Sequence, residues 1–535
     1  MKISTLATTL LFFNASKSVQ ADGHSCAPDP LEFSETVGLK VEKVGSVPAI
    51  NTAAFSYNMA PMDNFDGDSI YFLDQNNGLI YSYDTSSGDT QTLFDMNSSE
   101  VPDGLTLDWT YGGAGQTYRV KSMTQGLSSD EVIVVFSSST LPTGYTEADA
   151  KLPAPGAFGQ WVCGPDSEGG MVWIPDIYRP GVIPDCFANG AGAPSFVAYD
   201  VFYKFKIVNG ELVHPEPFFV SESTVLPGHL GSGIVTVDEK VLWSTGDCTV
   251  FGLDGHYAPQ LDHEHCGKIL SIDPNSKGEY DIVAKGVRNS QQMRVFTSKS
   301  AKSSPKSPKS PKASKSPKSP KSPKVRRALK SGKASKSDKY VAFMEIGGVT
   351  AEEVNAFPLD AIGGPDMLNF GWGRNINDGK AREGTFYVNS GIAGVLGTQP
   401  PCAEESPIGE PGYVQPWIQF GRTATDFYYG ICSIAVPTSG TDKLELLWTE
   451  FNTGNILGTE TMFVEGAPPA KSYKLKIYDA NGTYLENGLN DLVKEELGEV
   501  FFYRGDPRLF HFPDGQAGVF IERTGVFYKI TEVAI

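Results

Sequence analysis

The feature that most constrains this chain is a succession of short apolar runs separated by turns rich in Asp, Asn and Gly. These runs fall at residues 69–73, 78–83, 131–136, 196–208, 233–244, 268–272, 444–448, 473–478 and 518–530. They are rich in β-branched and aromatic residues, which favour strands, and long amphipathic helices are hard to find between them. The pattern therefore predicts an all-β fold, which is a sandwich, a barrel or a propeller.

Length and repetition favour the propeller among these three. The chain has 535 residues, more than a sandwich normally uses, whereas a propeller grows by adding blades. An acidic turn followed by an apolar strand occurs at residues 238–243 and 514–520. A glycine followed by a strand occurs at residues 78–81, 267–270 and 525–528. Turn-and-strand units that recur in this way are typical of propeller blades.

One stretch is of a different physical kind. Residues 299–339 contain 13 Lys, two Arg and one Asp, with a Ser-Pro-Lys repeat that begins at Ser304. The stretch has no large apolar residue before Val325, its like charges repel and its prolines oppose helix and sheet, so we predict a disordered Lys/Ser/Pro-rich insertion. It is either a passive solvated loop or a polycationic arm, and the sequence leaves both open.

The insertion also hides the charge of the rest of the chain. The whole chain carries −19, but the insertion carries +14, which leaves 29 basic and 62 acidic residues, or −33, elsewhere. A body this acidic repels phosphate, which argues against nucleic acid as a partner. It suits Ca²⁺, a hard cation that takes oxygen ligands.

The N-terminal residues have the pattern of a signal peptide. Lys2 precedes an apolar run at residues 3–13, and small residues at 18–21 predict cleavage between Ala21 and Asp22. Because no later apolar run reaches about 18 residues, we expect no membrane span. We therefore expect a secreted protein, either free or associated with a cell wall. Its parts would be a signal peptide (1–21), two propeller parts (22–298 and 340–535) and the insertion between them (299–339).

Secretion predicts covalent modification of the chain. Cysteines in an oxidising compartment are expected to pair, although spacing does not fix the connectivity. Proximity in sequence suggests the pairs Cys163–Cys186, Cys248–Cys266 and Cys402–Cys432, with Cys26 left over. Glycosylation sequons begin at Asn97 and Asn481.

Residues 262–266 (Asp-His-Glu-His-Cys) offer five potential metal ligands. Adjacent residues rarely converge on one ion, so we interpret them as a polar loop rather than a transition-metal site.

Four segments carry motifs that occur together in one family. The first has Gly-His-Leu-Gly-Ser-Gly at 228–233 and Ser-Thr-Gly-Asp at 244–247. The second has Gly-Lys-Ile-Leu-Ser-Ile-Asp-Pro at 267–274 and Gly-Val-Arg-Asn-Ser-Gln at 286–291. The third has Glu-Ile-Gly-Gly at 345–348, Glu-Glu-Val-Asn at 352–355 and Asn-Phe-Gly-Trp at 369–372. The fourth has Asp-Pro-Arg at 506–508 and Pro-Asp-Gly at 513–515.

In this order the segments resemble the soluble quinoprotein glucose/sorbosone dehydrogenase family, which includes hedgehog-interacting-protein-like propellers. The resemblance spans residues 228–530 and implies a six-bladed β-propeller with its site at the axial face. It also implies an oxidoreductase, in which a sugar or polyol hydroxyl gives its proton to a histidine while hydride passes to pyrroloquinoline quinone (PQQ). His229 matches that catalytic base, and imidazole suits the role near neutral pH.

The resemblance assigns further residues to cofactor and metal. Arg288 and Asn289 would stabilise and hold the reduced quinone, and Arg508 would pair with a quinone carboxylate. The carbonyls of Gly347 and Gly348, with Glu352, would hold Ca²⁺.

The sequence also departs from the family's pattern. Gly228 replaces an acidic residue, Asp506 replaces an arginine, and no lysine stands at residues 433–437. The early glutamine that contacts the quinone has no clear match, the nearest segment being residues 101–105. The acid–base and calcium positions are thus kept, whereas several quinone contacts are missing.

We therefore expect a secreted glucose/sorbosone dehydrogenase-like protein that uses PQQ and Ca²⁺. One alternative is a non-catalytic extracellular propeller that binds glycans, anionic polysaccharide, cell wall or silica through residues 299–339. Another is a calcium-stabilised interaction propeller.

Overall fold

The computed structural model describes residues 32–48, 59–62, 69–75, 78–95, 120–138, 140–150, 160–163, 171–174, 199–222, 231–247, 258–262, 265–297, 339–346, 351–372, 412–421, 431–450, 454–467, 469–498 and 507–535. The predicted signal peptide and residues 299–338 of the predicted insertion lie outside them. Within the described residues the fold is all β, as predicted. They contain one α-helix, α1 (Leu489–Leu497), and 3-10 helices at Ala258–Gln260 and Leu359–Ala361.

The first strand, β1 (Phe33–Ser46), belongs to a large sheet that the end of the chain completes. The next strands form two four-stranded sheets and a ribbon. The first sheet has the order β2 (Met59–Met62), β3 (Ser69–Asp74), β4 (Leu79–Asp84), β5 (Thr90–Asp95). The second has the order β11 (Glu211–Glu222), β10 (Tyr199–Val208), β7 (Glu131–Ser138), β6 (Val120–Gln125). The ribbon pairs β8 (Gln160–Cys163) with β9 (Met171–Ile174).

Two further sheets come from the middle of the chain. The third sheet has the order β12 (Gly231–Val237), β13 (Lys240–Thr245), β14 (Lys268–Ile272), β15 (Tyr280–Lys285), β19 (Leu368–Asn369). The fourth has the order β16 (Met293–Thr297), β17 (Lys339–Glu345), β18 (Ala351–Pro358), β20 (Ile418–Gly421).

The last sheet has eight strands in two four-stranded halves. One half has the order β21 (Ile431–Ala435), β22 (Leu446–Glu450), β23 (Ile456–Thr459), β24 (Tyr473–Tyr478). The other continues with β1, β27 (Val526–Ala534), β26 (Ala517–Ile521), β25 (Pro507–His511). Strand β1 pairs in parallel with β24 and antiparallel with β27. An N-terminal strand thus completes a sheet made from the C-terminal strands.

Two of the predicted runs are hairpins rather than single strands. The run at 233–244 contains β12 and β13, and the run at 518–530 contains parts of β26 and β27. In the first hairpin Val237 pairs with Lys240, so only two residues turn the chain. Asp238 has a φ of 49°, the left-handed conformation that such short turns require. This turn is too short to interrupt the apolar pattern.

The sheets are arranged around an axis as in a β-propeller. Strands at the inner edges contact one another in sequence, and strand β3 closes the circle against β6. The contacting pairs are β6 with β12, β12 with β16, β16 with β21, β21 with β25, β25 with β2, and β3 with β6. We call β2, β6, β12, β16, β21 and β25 the inner strands.

Polar side chains join neighbouring inner strands through backbone groups. Gln292 accepts from the backbone N–H of Ile434 at 2.6 Å and donates to the carbonyl of Leu509 at 3.0 Å. The N–H of Leu509 donates to Ser433 Oγ at 2.6 Å. Ser122 Oγ donates to the carbonyl of Ser232 at 2.7 Å. Since an inner edge has no further strand to pair with, these bonds satisfy backbone groups that would otherwise lack partners.

Apolar side chains fill the space between neighbouring sheets. Where the first sheet meets the end of the chain, Phe527 lies between Phe72 and Tyr83, with ring centroids 5.3 and 4.7 Å away. Phe510 and Phe520 belong to the same buried cluster. The cluster joins the start of the chain to its end, so it helps to close the circle.

The ring has two distinct ends. We call the end where β12, β16, β21 and β25 begin the upper end. The strands that pair antiparallel with them end there. The first residue of β12, β21 and β25 pairs with the last residue of its partner strand, in the pairs Gly231–Thr245, Ile431–Glu450 and Pro507–Ile521. At the lower end the last residues of β16 and the first of β17 pair, with Thr297 opposite Lys339.

Among the described residues, no helix has the length and apolar character needed to cross a membrane.

Replacing Phe527 by Ala should destabilise the protein strongly. The ring is fully buried, and truncating such a side chain leaves a cavity that costs about 3–5 kcal/mol. Tyr484→Ala is the control, because this aromatic ring is 40% exposed and a surface change of this kind costs within about 0.5 kcal/mol. Urea unfolding measures the stability of both variants. Equal unfolding midpoints would show that the Phe527 cluster does not help to close the ring.

Candidate functional site

One short segment connects all of the motif-bearing segments. Residues 288–291 lie between β15 and β16 at the upper end of the ring. We call them the junction segment. Arg288 and Asn289 within it are both buried, and each of the other three motifs bonds to the segment.

Arg288 joins the junction segment to the third motif. Its backbone N–H donates to Glu345 Oε1 at 2.5 Å. Its Nη1 donates to the carbonyl of Ile346 at 2.7 Å. Gly347 and Gly348, the predicted calcium ligands, follow directly in the chain and lie outside the described residues. Arg288 therefore fixes the backbone immediately before that pair.

Both ends of the first motif bond to the same segment. Asn289 Oδ1 accepts from the backbone N–H of Gly231 at 2.9 Å. The backbone N–H of Asp247 donates to the carbonyl of Arg288 at 2.8 Å. His229 lies outside the described residues, two positions before Gly231. Asn289 is predicted to hold the quinone. In the structure its side-chain oxygen holds the strand that follows His229.

Arg508 brings the fourth motif to the junction segment. Its Nη1 donates to Gln291 Oε1 at 3.3 Å, and its Nε lies 2.7 Å from Glu522 Oε1. Arg508 and Glu522 are both buried. The carboxylate offsets much of the guanidinium charge, while the contact with Gln291 places Arg508 at the same upper end as Arg288. Asp506 lies outside the described residues.

An aromatic ring orients the guanidinium of Arg288. Its central carbon lies 4.9 Å from the ring centroid of Trp372, a distance at which a cation is attracted to the ring face. Trp372 Nε1 donates to Asp247 Oδ2 at 2.9 Å, and the backbone N–H of Trp372 donates to the carbonyl of Gly286 at 3.0 Å. Because Arg288 is only 8% exposed and Trp372 only 2% exposed, this stack holds the cation in one orientation.

Two carboxyl groups face each other beside Arg288. Glu345 of β17 is paired with Glu353 of β18, and both are buried. Asn355 Nδ2 lies 3.4 Å from a carboxyl oxygen of each. Burial, and next the charge of Glu353, raises the pKa of Glu345 well above its ordinary value, against the lowering effect of Arg288. Glu345 therefore keeps its proton to higher pH and neutralises less of the Arg288 charge.

Glu352, the third predicted calcium ligand, also lies at the upper end. It is fully buried, and its Oε2 accepts from the backbone N–H of Ile431 at 3.2 Å. It thus ties β18 to the start of β21 in the neighbouring sheet. No group of three or more His, Cys, Asp or Glu side chains suited to a metal occurs in the described parts of the chain. Calcium binding by Glu352 stays a prediction.

The polar loop at 262–266 is partly described. His265 is buried, its Nδ1 lies 3.2 Å from Ser221 Oγ, and its ring packs edge-on against Tyr280. Cys266 is buried and disulfide-bonded. Its predicted partner Cys248 lies outside the described residues, so the pairing stays a prediction. The same holds for the other pairs, since Cys186 and Cys402 lie outside the described residues and the structure describes only the backbone of Cys163 and Cys432.

The sequon at Asn481 lies in an exposed turn. Asp479 Oδ1 accepts from the backbone N–H groups of Asn481 and Thr483, at 2.9 and 2.7 Å. Asn481 itself is exposed, as a glycan would require, and its modification stays a prediction. The sequon at Asn97 lies outside the described residues.

Several residues that build this site were not predicted to belong to it. All four of the following residues lie inside the four motifs, so their position in a motif could have identified them as site residues: Asp247, Gln291, Glu345 and Trp372. Glu522 lies outside every motif and immediately after β26, and no sequence signal singles it out.

Comparison with known proteins gives structural neighbours only. No protein-family model matches the chain, and no curated protein matches it. Similar solved structures include the PQQ-bound aldose sugar dehydrogenase Adh of Streptomyces coelicolor, with 11% identity, 94% of this chain and 100% of that chain covered, and a TM-score of 0.46. The apo form of the soluble aldose sugar dehydrogenase Asd of Escherichia coli is also similar. It has 11% identity to this chain, 93% of this chain and 100% of that chain are covered, and the TM-score is 0.47.

A calcium structure of the carbohydrate-active enzyme family AA12 from Trichoderma reesei is also similar, with 11% identity, 96% and 99% coverage and a TM-score of 0.41. The chain thus has structural neighbours among PQQ-dependent soluble sugar dehydrogenases, as its motifs predicted. At this identity and these TM-scores, the likeness transfers no activity to this chain.

Replacing Glu345 by Gln should reduce the pH dependence of stability. The pKa of Glu345 is raised by folding, so its contribution to stability is present below the pKa of the unfolded chain and is lost as pH rises through the folded value. A neutral amide has no such loss. As the pH rises from about 4 to about 9, we therefore expect the variant to gain stability relative to the wild type.

Urea unfolding at several pH values measures this difference. Glu465→Gln is the matched control, because Glu465 is exposed. If the free energy of unfolding depends on pH in the same way for wild type and Glu345→Gln, folding does not raise the pKa of the Glu345 carboxyl.

Proposed function

We propose that this protein is a secreted, six-bladed propeller that oxidises a sugar or polyol by hydride transfer to a quinone cofactor of the PQQ type. The observation that carries the proposal is the convergence of the motif-bearing segments on residues 288–291. Gly231, Glu345 and Arg508 belong to three different motifs, and each bonds to this one segment. Motifs that served only to shape separate blades would have no reason to meet at one end of the ring.

The strand pairing supports six blades. The four smaller sheets that belong to the ring supply one blade each, and the eight-stranded sheet supplies two, joined at their outer edges by the parallel pair of β1 and β24. Six inner strands then surround the axis. Their contacts run from each blade to the next around the whole circle.

The residues at the junction fit an anionic quinone. Carboxylates and a reduced quinone oxygen require cations, and Arg288 and Arg508 are two buried guanidinium groups tied to the same segment. The raised pKa of Glu345 leaves more of the Arg288 charge for a ligand. A bound quinone would supply the hydride acceptor.

The stretch in which the family has a cofactor-binding lysine has a structural role in this chain. Ser433, in the stretch without the family's lysine, is buried and bonds to the backbone N–H of Leu509 and to Thr449 Oγ1, each at 2.6 Å. It joins two inner strands. We therefore assign the main charge contact with the quinone to Arg288.

The chain's own groups then divide the work. His229 takes the proton of the sugar hydroxyl, and the bond from Gly231 to Asn289 orients the strand that follows it. Trp372, whose indole N–H donates to Asp247, holds the Arg288 guanidinium. Glu352 and the carbonyls of Gly347 and Gly348 provide oxygen ligands for Ca²⁺.

Reconstitution tests this function. Purified full-length protein with PQQ and Ca²⁺ should reduce a redox dye in the presence of at least one aldose or polyol. Arg288→Met should lower that rate about 100-fold or more, because it removes a fixed charge from the site. Lys443→Met is the control, since Lys443 is exposed at the lower end. If the wild type neither reduces dye nor binds quinone, the dehydrogenase proposal is wrong.

A second function is favoured by where the insertion leaves the ring. Thr297 and Lys339 are paired at the lower end, so residues 299–338 are attached on the side opposite the junction segment. We propose that this basic stretch binds anionic polysaccharide or silica. Such binding would leave the upper end accessible.

Deleting residues 299–338 tests this second function. A short Asn-Gly turn can join the paired strand ends in its place. We expect the deletion to abolish retention on an anionic polysaccharide or silica column at low salt, since the stretch carries most of the clustered positive charge. Thermal stability should be unchanged. Equal retention of both proteins would make the insertion a passive loop.

A further inference from the structure

The ring encloses a polar cavity, the axial cavity, whose lower part no function proposed so far uses. Its volume is about 300 Å³, and its walls come mainly from β6, β12 and β16. This is at the lower limit of the volumes of small-molecule sites, about 300–1,000 Å³. The cavity extends from Gln291 in the junction segment to Asp238 in the turn after β12. Because Asp238 is exposed, the cavity opens to solvent at the lower end.

The charged side chains in the upper part of the wall are engaged within the protein. Lys121 Nζ lies 2.7 Å from Asp200 Oδ2. Arg294 donates to the carbonyls of Met293 and Leu509 at 3.2 and 3.1 Å. Both cations therefore help to hold strands of the ring together. Recognition of a ligand falls to groups further down the wall.

Three polar side chains in the lower part of the wall are not engaged in this way. Thr124 and Gln125 are the last residues of β6, and Asp238 directly follows β12. All three line the cavity, and within the part of the chain that the structure describes none of these side chains has a hydrogen-bond partner. Thr124 is only 7% exposed, and a side-chain hydroxyl buried to this degree normally has a partner. A ligand in the cavity would supply one.

The lower part of the wall combines these polar groups with apolar ones. Thr236 Oγ1 donates to the backbone carbonyl of Gln125, which fixes β6 and β12 to each other at this depth. Leu127, Val235 and Val295 line the same part of the cavity. A sugar or alditol has a matching mixture, because its hydroxyl groups project outwards from a carbon skeleton that carries C–H groups.

We propose that the lower part of the axial cavity binds a neutral polyol of the size of a hexose or its alditol. The Asp238 carboxylate only accepts hydrogen bonds, whereas the Thr124 hydroxyl and the Gln125 amide both donate and accept. Hydroxyl groups, which also donate and accept, satisfy all three. The same carboxylate repels an anionic ligand at the mouth of the cavity. This binding does not require the quinone and stands independently of the dehydrogenase proposal.

Binding of neutral and anionic probes to the full-length protein without quinone tests the site. The probes are glucose, sorbitol and sodium gluconate at equal ionic strength, and saturation-transfer NMR and the melting temperature report binding. We expect glucose or sorbitol to bind and to raise the melting temperature. Gluconate should bind about tenfold more weakly or less, because Asp238 repels its charge. If neither neutral probe binds, or if gluconate binds as tightly as they do, the proposal is wrong.

Replacing Thr124 by Val locates the ligand within the ring. The change removes the hydroxyl and keeps the size of the side chain. Because this hydroxyl bonds to none of the described residues, the variant should fold normally, while its affinity for the neutral probe should fall about three- to tenfold. Thr90→Val is the matched control, since Thr90 is exposed at the start of β5, and it should change nothing.

Replacing Asp238 by Asn tests the role of charge. Asp238 has a φ of 49°, and asparagine also tolerates this left-handed conformation, so the turn should be kept. The preference for the neutral probe over gluconate should then be lost. Asp366→Asn, at an exposed position, should keep it. Affinities that Thr124→Val and Asp238→Asn both leave unchanged would place the ligand elsewhere and overturn the proposal.

Discussion

The backbone of the inner strands sets the constraint on which this protein depends. Each inner strand has one edge without a neighbouring strand, and its N–H and C=O groups still need partners. Side chains supply them: Gln292 bonds to both Ile434 and Leu509, and Ser433 accepts from Leu509. The interior around the axis is therefore polar, although the spaces between sheets are apolar. The junction at the upper end lies around this polar axis.

The junction segment also satisfies backbone groups of neighbouring segments, in loops as well as in strands. Residues 288–291 precede an inner strand and use backbone and side-chain groups to fix the neighbouring loops. The result is a site in which a buried cation, Arg288, is held by Trp372 and by the carbonyl of Ile346. Its carboxyl neighbour Glu345 has a raised pKa. A rigid, positively charged position of this kind is what binding a reduced, anionic cofactor requires.

Local patterns in the sequence predicted most strands and the positions of the motifs. The runs at 131–136 and 268–272 are strands because apolar and β-branched residues favour strands wherever they lie. Sequence could not predict that β1 pairs with β24 and β27, because these partners are far apart in the chain and no local pattern specifies them. The site shows the same limit. The pKa shift of Glu345 depends on burial and on Glu353 lying opposite, and both require the register of β17 and β18.

We propose that four separate segments of the chain form one quinone site. Hydrogen–deuterium exchange, with and without PQQ and Ca²⁺, tests this proposal because it reports on backbone amides in all four segments. We expect slower exchange in four segments together: around Gly231, at 288–291, at Glu345 and Ile346, and at the start of β25. The lower turns, including Asp238 and Glu239, should not change. Exchange that is unaffected by the quinone, or protection confined to a single segment, would show that these segments do not form one quinone site.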